Sequence, residues 1–237
     1  MTNVRSLLEQ GLAHHRAGRR DEAEGFYRRA LEAEPENANG LHLLGVCALE
    51  AGRNEEAADL IGRAVARNPK NANMRVHLGS ALRAGGRLEE AADAYSEAAT
   101  LAPDDLEAHY HLLRTLSTLG RQRDAAPVLL ASTERLPDSA ELHLMLGISL
   151  RDAKDLDGAE RAYRKALELR PGYAEALGNL GNVLQKQRRL DEAIENYRAA
   201  IAIRPEFFRQ AASNLASMGR GRIWLKLSAA RNYLSGT

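Results

Sequence analysis

Apolar and small residues recur along the chain at the spacing of one α-helix face. In residues 174–205 they form two runs, whose members are Leu177, Leu180, Gly181 and Leu184, then Ala193, Tyr197 and Ala200. Separations of three, four and seven residues place the side chains of each run on one face of a helix. The pattern therefore predicts two amphipathic helices joined by a turn.

The same pattern returns with a fixed period of 34 residues. The series that keeps this step most strictly is the set of prolines Pro35, Pro69, Pro103, Pro137, Pro171 and Pro205. An alanine series follows it throughout: Ala23, Ala57, Ala91, Ala125, Ala159 and Ala193. A period of this length is typical of arrays of helix–turn–helix units. Because each unit can cover its apolar face only with its neighbours, the sequence predicts a stacked solenoid.

Glycine marks two places in each unit. Gly18, Gly52, Gly86 and Gly120 each precede an arginine, where we expect a helix to end in the left-handed conformation. Gly45 and its counterparts Gly79, Gly147 and Gly181 occupy the position where two helices are expected to approach closely.

These residues resemble the tetratricopeptide repeat (TPR) family, with its large apolar residue, Leu-Gly, second apolar residue, alanine, aromatic, alanine and proline. The repeats are also similar to those of bacterial TPR proteins and of the O-linked N-acetylglucosamine transferase, whose catalytic domain has no counterpart in these 237 residues. The resemblance implies an all-α, right-handed superhelical solenoid of tandem antiparallel helix pairs. The units expected are residues 4–37, 38–71, 72–105, 106–139, 140–173 and 174–205, followed by 206–237 as a capping helix or partial seventh repeat with a basic tail.

The fourth unit departs most from the pattern. Leu113 replaces the small glycine, Ser132 replaces an alanine, and Pro127 falls in the second helix. With Asp124 as N-cap, the proline would lie in the first turn, so we expect this helix to start late. Sequence drift in a tolerant repeat explains these changes, and a local change of pitch that lets two halves flex is the alternative.

Residues 206–237 carry five basic residues and a single acidic one. Phe207 and Phe208 are expected to cover the end of repeat six, and a second helix that contains Trp224 would complete a cap. The alternatives are contact of this basic segment with an anionic membrane surface or a partner, or a remnant of a longer ancestral protein.

The composition gives no sign of catalysis. The formal net charge of +1 indicates no nucleic-acid partner, and no long apolar stretch or signal sequence is present, which predicts a cytoplasmic protein. No nucleotide-binding or metalloprotease motif occurs, and Cys47 lies in the apolar run LLGVCAL as a core residue. We therefore expect no enzyme activity and no cofactor.

The seven histidines do not indicate a metal site. His109 and His143 occupy a large apolar position and are expected to pack, whereas His77 and His111 are expected to face the groove. His109 and His111 point about 200° apart on a helix, which excludes joint chelation.

In TPR proteins the first helix of each unit lines a concave groove that binds a peptide. The groove residues that the resemblance implies here are Leu8, Leu12, His42, Leu43, Val46, His77, Tyr110, His111, Arg114, Leu144, Met145, Ile148, Asn179 and Asn182. Arg114 is the only full cation among them, so a clamp for a C-terminal carboxylate is not expected. Asn179 has no asparagine at its equivalent positions, so an asparagine ladder is not expected either.

The sequence therefore predicts a non-catalytic adaptor or scaffold that binds a peptide or helix of a partner protein, with apolar patches as anchors. Membrane contact is not expected. Two alternatives stay open. The chain is the substrate-recruiting module of a glycosyltransferase-like enzyme system, or it is a self-assembling scaffold that forms homo-oligomers through its C-terminal segment.

Overall fold

The computed structural model describes residues 3–216, and all regular secondary structure in that range is helical. The first helices of the repeats are α1 (Val4–Arg16), α3 (Ala38–Glu50), α5 (Ala72–Ala84), α7 (Leu106–Thr118), α9 (Ala140–Asp152) and α11 (Ala174–Lys186). The second helices are α2 (Arg20–Ala33), α4 (Asn54–Arg67), α6 (Leu88–Leu101), α8 (Ala126–Arg135), α10 (Leu156–Leu169) and α12 (Leu190–Ile203). A last helix, α13, spans Phe207–Ala216.

The chain divides into two compact units, Met1–Gly120 and Arg121–Thr237. Within each unit every α-helix packs against the next one along the chain, and the short connections make successive helices antiparallel. The all-α solenoid of helix pairs expected from the sequence is confirmed. None of the helices in the described part has the length and apolar content needed to span a bilayer.

The helix pairs close on small residues, as expected. A Cβ atom at Gly45 would lie 2.5 Å from Ile61 Cγ1, and one at Gly147 would lie 2.5 Å from Tyr163 Cε1. The periodic tyrosines Tyr27, Tyr95 and Tyr163 are fully buried and lie against the small residues Gly11, Gly79 and Gly147. The absence of a side chain on the first helix therefore makes room for a ring from the second.

Both ends of the helices show the 34-residue period. Each first helix up to α9 is preceded by an N-cap residue whose side chain accepts a hydrogen bond from a backbone N–H of the first turn. These N-caps are Asn3, Asn37, Asn71, Asp105 and Ser139. The turn glycines Gly18, Gly52, Gly86 and Gly120 have φ between 70° and 81°, which confirms their expected conformation. Lys154 and Arg188 adopt the same left-handed conformation with φ of 66°, although a side chain there is unfavourable.

The second helix of the fourth repeat starts late, as expected. A short 3-10 helix (Gln122–Ala125) precedes α8, which has 10 residues against 14 in α10 and places Pro127 in its first turn. The expected N-cap was wrong, because Ala125 occupies that position. Asp124 instead accepts a hydrogen bond from Arg121 Nε at 2.8 Å.

Helix α13 packs on α11 and α12 at the end of the described part. Phe208 contacts the core of the last two repeats, and the ring of Phe207 would lie 3.1 Å from a Cβ atom at Gly178. Both rings thus cover repeat six, as expected. Residues 217–237, with the expected second capping helix and the proposed homo-oligomer contact, lie outside the described residues.

Candidate partner-binding surface

Within each of the two units the first helices form a face, here called the first-helix face of that unit, and these faces carry the residues that the sequence assigned to a groove. In unit 1 the face includes an open cleft of about 770 Å³ between α1 and α3, the first-helix cleft. Its lining residues are Asn3, Val4, Arg5, Leu8, Glu9, Leu12, Glu34, Asn37, Asn39, His42 and Leu43. Four predicted groove residues therefore meet in one depression. Leu8 is only 9% exposed and forms its floor, whereas Leu12, His42 and Leu43 are half-buried.

Two histidines continue this face from α3 to α5. His42 Nε2 lies 2.9 Å from His77 Nδ1, so one neutral ring donates a hydrogen bond to the other. Burial, with repulsion from His77, lowers the pKa of His42 to about 4. Burial also lowers the pKa of His77, against the opposing influence of Glu107 and Glu50. The histidine pair is therefore uncharged near neutral pH. Val46, a further predicted groove residue, lies half-buried on the same helix as His42.

Aromatic side chains cover the α7 part of the face in unit 1. Tyr110 is 52% exposed, and the guanidinium of Arg114 lies 6.0 Å from the centre of its ring. The ring of His111 stacks on buried Tyr95, with centroids 5.2 Å apart. His109, by contrast, is fully buried and its Nδ1 lies 2.8 Å from the backbone oxygen of Asp105, which confirms its expected packing role.

In unit 2 the predicted residues lie on α9 and α11, and several of them have partners within the fold. Leu144 is buried in the core, while Met145 and Ile148 are half-buried. Asn179 Oδ1 accepts a hydrogen bond from Arg151 Nη1 at 2.9 Å, and Asn182 Oδ1 lies 2.7 Å from the hydroxyl of Tyr197. The apolar residues Met145 and Ile148 are therefore the more available contacts of this part of the face.

The buried tyrosines reach the first-helix face with their hydroxyl groups, a feature that sequence reasoning missed. Tyr95 Oη lies 3.0 Å from Ser80 Oγ, which occupies the same repeat position as Asn182 beside Tyr197. Leu12 and Ile148 stand at that position opposite Tyr27 and Tyr163. The hydroxyl groups of these two tyrosines have no hydrogen-bond partner among the described residues. The sequence contains this signal, because the tyrosine position of the second helix and the first-helix position opposite it both recur with the 34-residue period.

Cys47 is not placed for catalysis. The residue is 2% exposed, and its Sγ lies 3.8 Å from His15 Nδ1. Burial raises the pKa of the thiol to about 11, so the thiol stays protonated and is a poor nucleophile. His143, expected to pack, is only half-buried, and its Nε2 lies 2.9 Å from the backbone oxygen of Pro137. Within residues 3–216, no three histidine, cysteine or acidic side chains are placed to hold a metal ion.

Comparison with solved structures finds TPR proteins of low sequence identity. YrrB, described as a TPR protein with an unusual peptide-binding site, is 21% identical, with a TM-score of 0.63 over 81% of this chain and 98% of that chain. PilF of Pseudomonas aeruginosa is 20% identical, with a TM-score of 0.60 over 89% and 97% of the two chains. MamA from Desulfovibrio magneticus RS-1 is 20% identical, with a TM-score of 0.52 over 77% and 97%. At this identity the likeness shows the fold alone.

The sequence comparisons complete the assignment. The search of curated proteins gives no match. The family model described as Tetratricopeptide repeat matches residues 8–62, 44–105, 110–174, 144–206 and 179–230. The chain therefore belongs to the tetratricopeptide repeat family and has the architecture of a protein-interaction scaffold.

Proposed function

We propose that the chain is a non-catalytic adaptor that binds a segment of a partner protein on its first-helix face. The observation that carries the proposal is the first-helix cleft, where Leu8, Leu12 and Leu43 combine with His42 in one open depression of about 770 Å³. Leucine side chains on the floor and polar groups at the rim are typical of surfaces that take an apolar anchor from a peptide.

The rim of the cleft has both charges and amides. Arg5 Nε donates to Glu9 Oε1 at 2.9 Å, and Asn37 Nδ2 donates to Glu34 Oε2 at 2.7 Å. Arg5 and Glu9 compensate one another, whereas Glu34 is paired only with an uncharged amide, so the rim carries one net negative charge among its lining residues and disfavours a strongly acidic segment. Asn39 is exposed at the rim, where an amide suits the backbone of a bound peptide.

The part of the first-helix face in unit 2 offers a second anchor position. Met145 and Ile148 are half-buried there, and a thioether adapts to varied side chains. We propose that a partner with leucine-like anchors binds the first-helix face of unit 1 or that of unit 2. The peptide-binding site of YrrB is consistent with this proposal as a property of another TPR protein.

The test is a pull-down from a lysate with quantitative mass spectrometry, followed by binding of the captured protein in purified form. Leu12→Glu and Met145→Glu alter the first-helix face of units 1 and 2. Leu101→Glu and Ile203→Glu are matched controls, because these residues are 42% and 47% exposed on the second helices α6 and α12. Leu101 and Ile203 are exposed, and the half-buried Leu12 and Met145 lie at the surface, so a glutamate carboxylate can reach water at each position and far-UV circular dichroism should stay unchanged.

We expect the intact chain and both controls to retain the partner, and at least one first-helix variant to release it. Burial of a leucine-sized anchor contributes about 2 kcal/mol, so the dissociation constant should rise roughly 30-fold. If every variant binds the purified partner as the intact chain does, the first-helix face is not the binding site and the proposal is wrong.

A further inference from the structure

The second helices of successive repeats are joined by a network of ion pairs that involves four fixed positions. In the joint between α2 and α4, Arg53 Nη2 lies 2.6 Å from Glu24 Oε2, and Arg28 Nη2 lies 2.6 Å from Glu24 Oε1. Glu56 closes the network, 3.0 Å from Arg53 and 3.3 Å from Arg28.

The same network recurs four periods later, between α10 and α12. Arg189 lies 2.7 Å from Glu160 and 2.7 Å from Glu192. Arg164 lies 2.9 Å from Glu160 and 3.4 Å from Glu192. Where successive repeats carry Glu, Arg, Arg and Glu at these four positions, the ion pairs therefore connect their two second helices.

Between α8 and α10 the four equivalent residues are Ala126, Leu130, Asp155 and Gly158. None of them can rebuild the network, and all four line an open cleft of about 660 Å³, the second-helix cleft. Leu130 is 52% exposed there, whereas the equivalent position carries arginine in repeats one, five and six. The cleft thus lies where small and apolar residues replace the ion-pairing residues of the other two joints.

The floor of the second-helix cleft is apolar. Leu146 and Leu150 on α9 line it beside Ala162 of α10, and Pro127 lies on the opposite wall. The exposed Leu130 of α8 lines the same cleft, within unit 2. An exposed leucine above a leucine-lined depression is typical of a surface that another molecule covers.

The rim of the cleft is basic. Arg123, Arg161 and Lys165 line it. Arg123 lies 3.8 Å from Asp124 with its side chain 80% exposed, and Lys165 lies 3.1 Å from Glu168. Asp155 is the only acidic lining residue among those described, and its carboxylate accepts the Gly158 N–H at 2.9 Å as the N-cap of α10. No ion pair of Arg161 occurs within residues 3–216. A partner is thus offered cationic groups around an apolar centre.

We propose that the second-helix cleft docks an acidic amphipathic segment of another protein. Leucine-like side chains of that segment pack on Leu130, Leu146 and Leu150, and its carboxylates face Arg161 and Arg123. The chain's own residues 217–237 do not suit this rim, because they contain four basic residues and no aspartate or glutamate. This site lies on a different face from the one in the proposed function, and the two can be tested apart.

The test uses fluorescein-labelled amphipathic peptides of about 14 residues, or roughly four helical turns. All three peptides share one leucine face, and their polar face consists of glutamate, glutamine or lysine. Fluorescence anisotropy is measured with the full chain and with the variants Leu130→Arg and Arg161→Glu. Leu130→Arg installs the residue that repeats one, five and six carry at this position, so the variant should fold. Leu101→Arg is the matched control on α6.

We expect the glutamate peptide to bind at least about tenfold more tightly than the lysine peptide, and each cleft variant to weaken it about tenfold. Leu101→Arg should leave the affinity unchanged. The proposal is overturned if Leu130→Arg binds normally, if the lysine peptide binds equally well, or if no saturation occurs up to on the order of 1 mM. It is also overturned if sedimentation shows that Leu130→Arg dissociates a dimer of the chain, since the occupant is then a second copy.

Discussion

Alanine substitution at two glycines of unit 1 tests how the helix pairs close. Gly45 lies on α3, where an added Cβ atom would be 2.5 Å from Ile61 Cγ1 and 3.3 Å from the Ile61 backbone nitrogen. Gly25 lies on α2 with no heavy atom within 4 Å of the added Cβ. Both residues are inside a helix, so they gain the same helix propensity from alanine. They differ only in the space available.

The magnitude follows from these distances. Carbon atoms pack best at about 3.5–4.0 Å, so the new methyl group at Gly45 overlaps Ile61 by roughly 1 Å. Rotation of the isoleucine cannot remove the close approach to its backbone nitrogen, so α3 and α4 must separate. Overpacking costs about 1–3 kcal/mol against a propensity gain of about 1 kcal/mol. From the middle of the overpacking range we expect Gly45→Ala to lower the free energy of unfolding by about 1 kcal/mol, and Gly25→Ala to raise it by about 0.5–1 kcal/mol.

The assay is urea unfolding followed by far-UV circular dichroism, with wild type and both variants in the same buffer. Because repeat arrays depart from two-state behaviour, the midpoint and the slope are compared separately. The argument about close approach is wrong if Gly45→Ala is as stable as wild type. If Gly25→Ala is also destabilising, the propensity argument fails and the two effects cannot be separated.

Three further predictions concern polar groups. Tyr197→Phe should lower the unfolding free energy by about 1 kcal/mol, because its hydrogen bond to Asn182 is lost. Tyr163→Phe should leave the unfolding free energy unchanged or raise it, because the Tyr163 hydroxyl has no partner among the described residues. Equal losses of stability for the two variants in urea unfolding would contradict this. His42 has a folded pKa of about 4, below its unfolded value near 6.5, so its contribution of about 1–3 kcal/mol is complete above pH 6.5 and is lost as pH falls towards 4. His42→Gln should flatten the stability profile between pH 6.5 and 4.5, and an unchanged slope there would contradict the prediction. Glu160→Gln should cost about 1 kcal/mol at low salt and less at high salt, and a loss independent of salt would refute an ionic origin.

Periodicity made most of the fold predictable from the sequence. The glycines at 45, 79, 147 and 181 were assigned to close contact between helices. The structure places the Ile61 side chain against Gly45 and a tyrosine ring against each of the other three. Pro127 predicted the late start of α8 because proline is tolerated only in the first turn. The N-cap series beginning at Asn3 is also visible in the sequence, as three asparagines followed by an aspartate and a serine, but it was not among the predictions.

The surface was less predictable, because contacts between repeats depend on side-chain geometry. The sequence placed His77 on the groove, but not its hydrogen bond to His42. It assigned Leu144 to an exposed patch, although neighbouring helices bury it to 8% exposure. The second-helix cleft depends on four positions from two repeats, and Leu130 is conspicuous only when it is compared with Arg28 and Arg164 at the same position.

The two ionic networks make the terminal repeats interchangeable modules. Glu24 and Arg28 offer the same charges, in the same register, that Glu160 and Arg164 offer to the last repeat. Excision of residues 38–173, four whole periods, would therefore bring the second helix of repeat one against Arg189 and Glu192 with every charge matched. On electrostatic grounds the number of repeats can therefore change by whole periods. The shortened chain would keep the same set of ion pairs that connects α2 to α4 and α10 to α12 in the full chain.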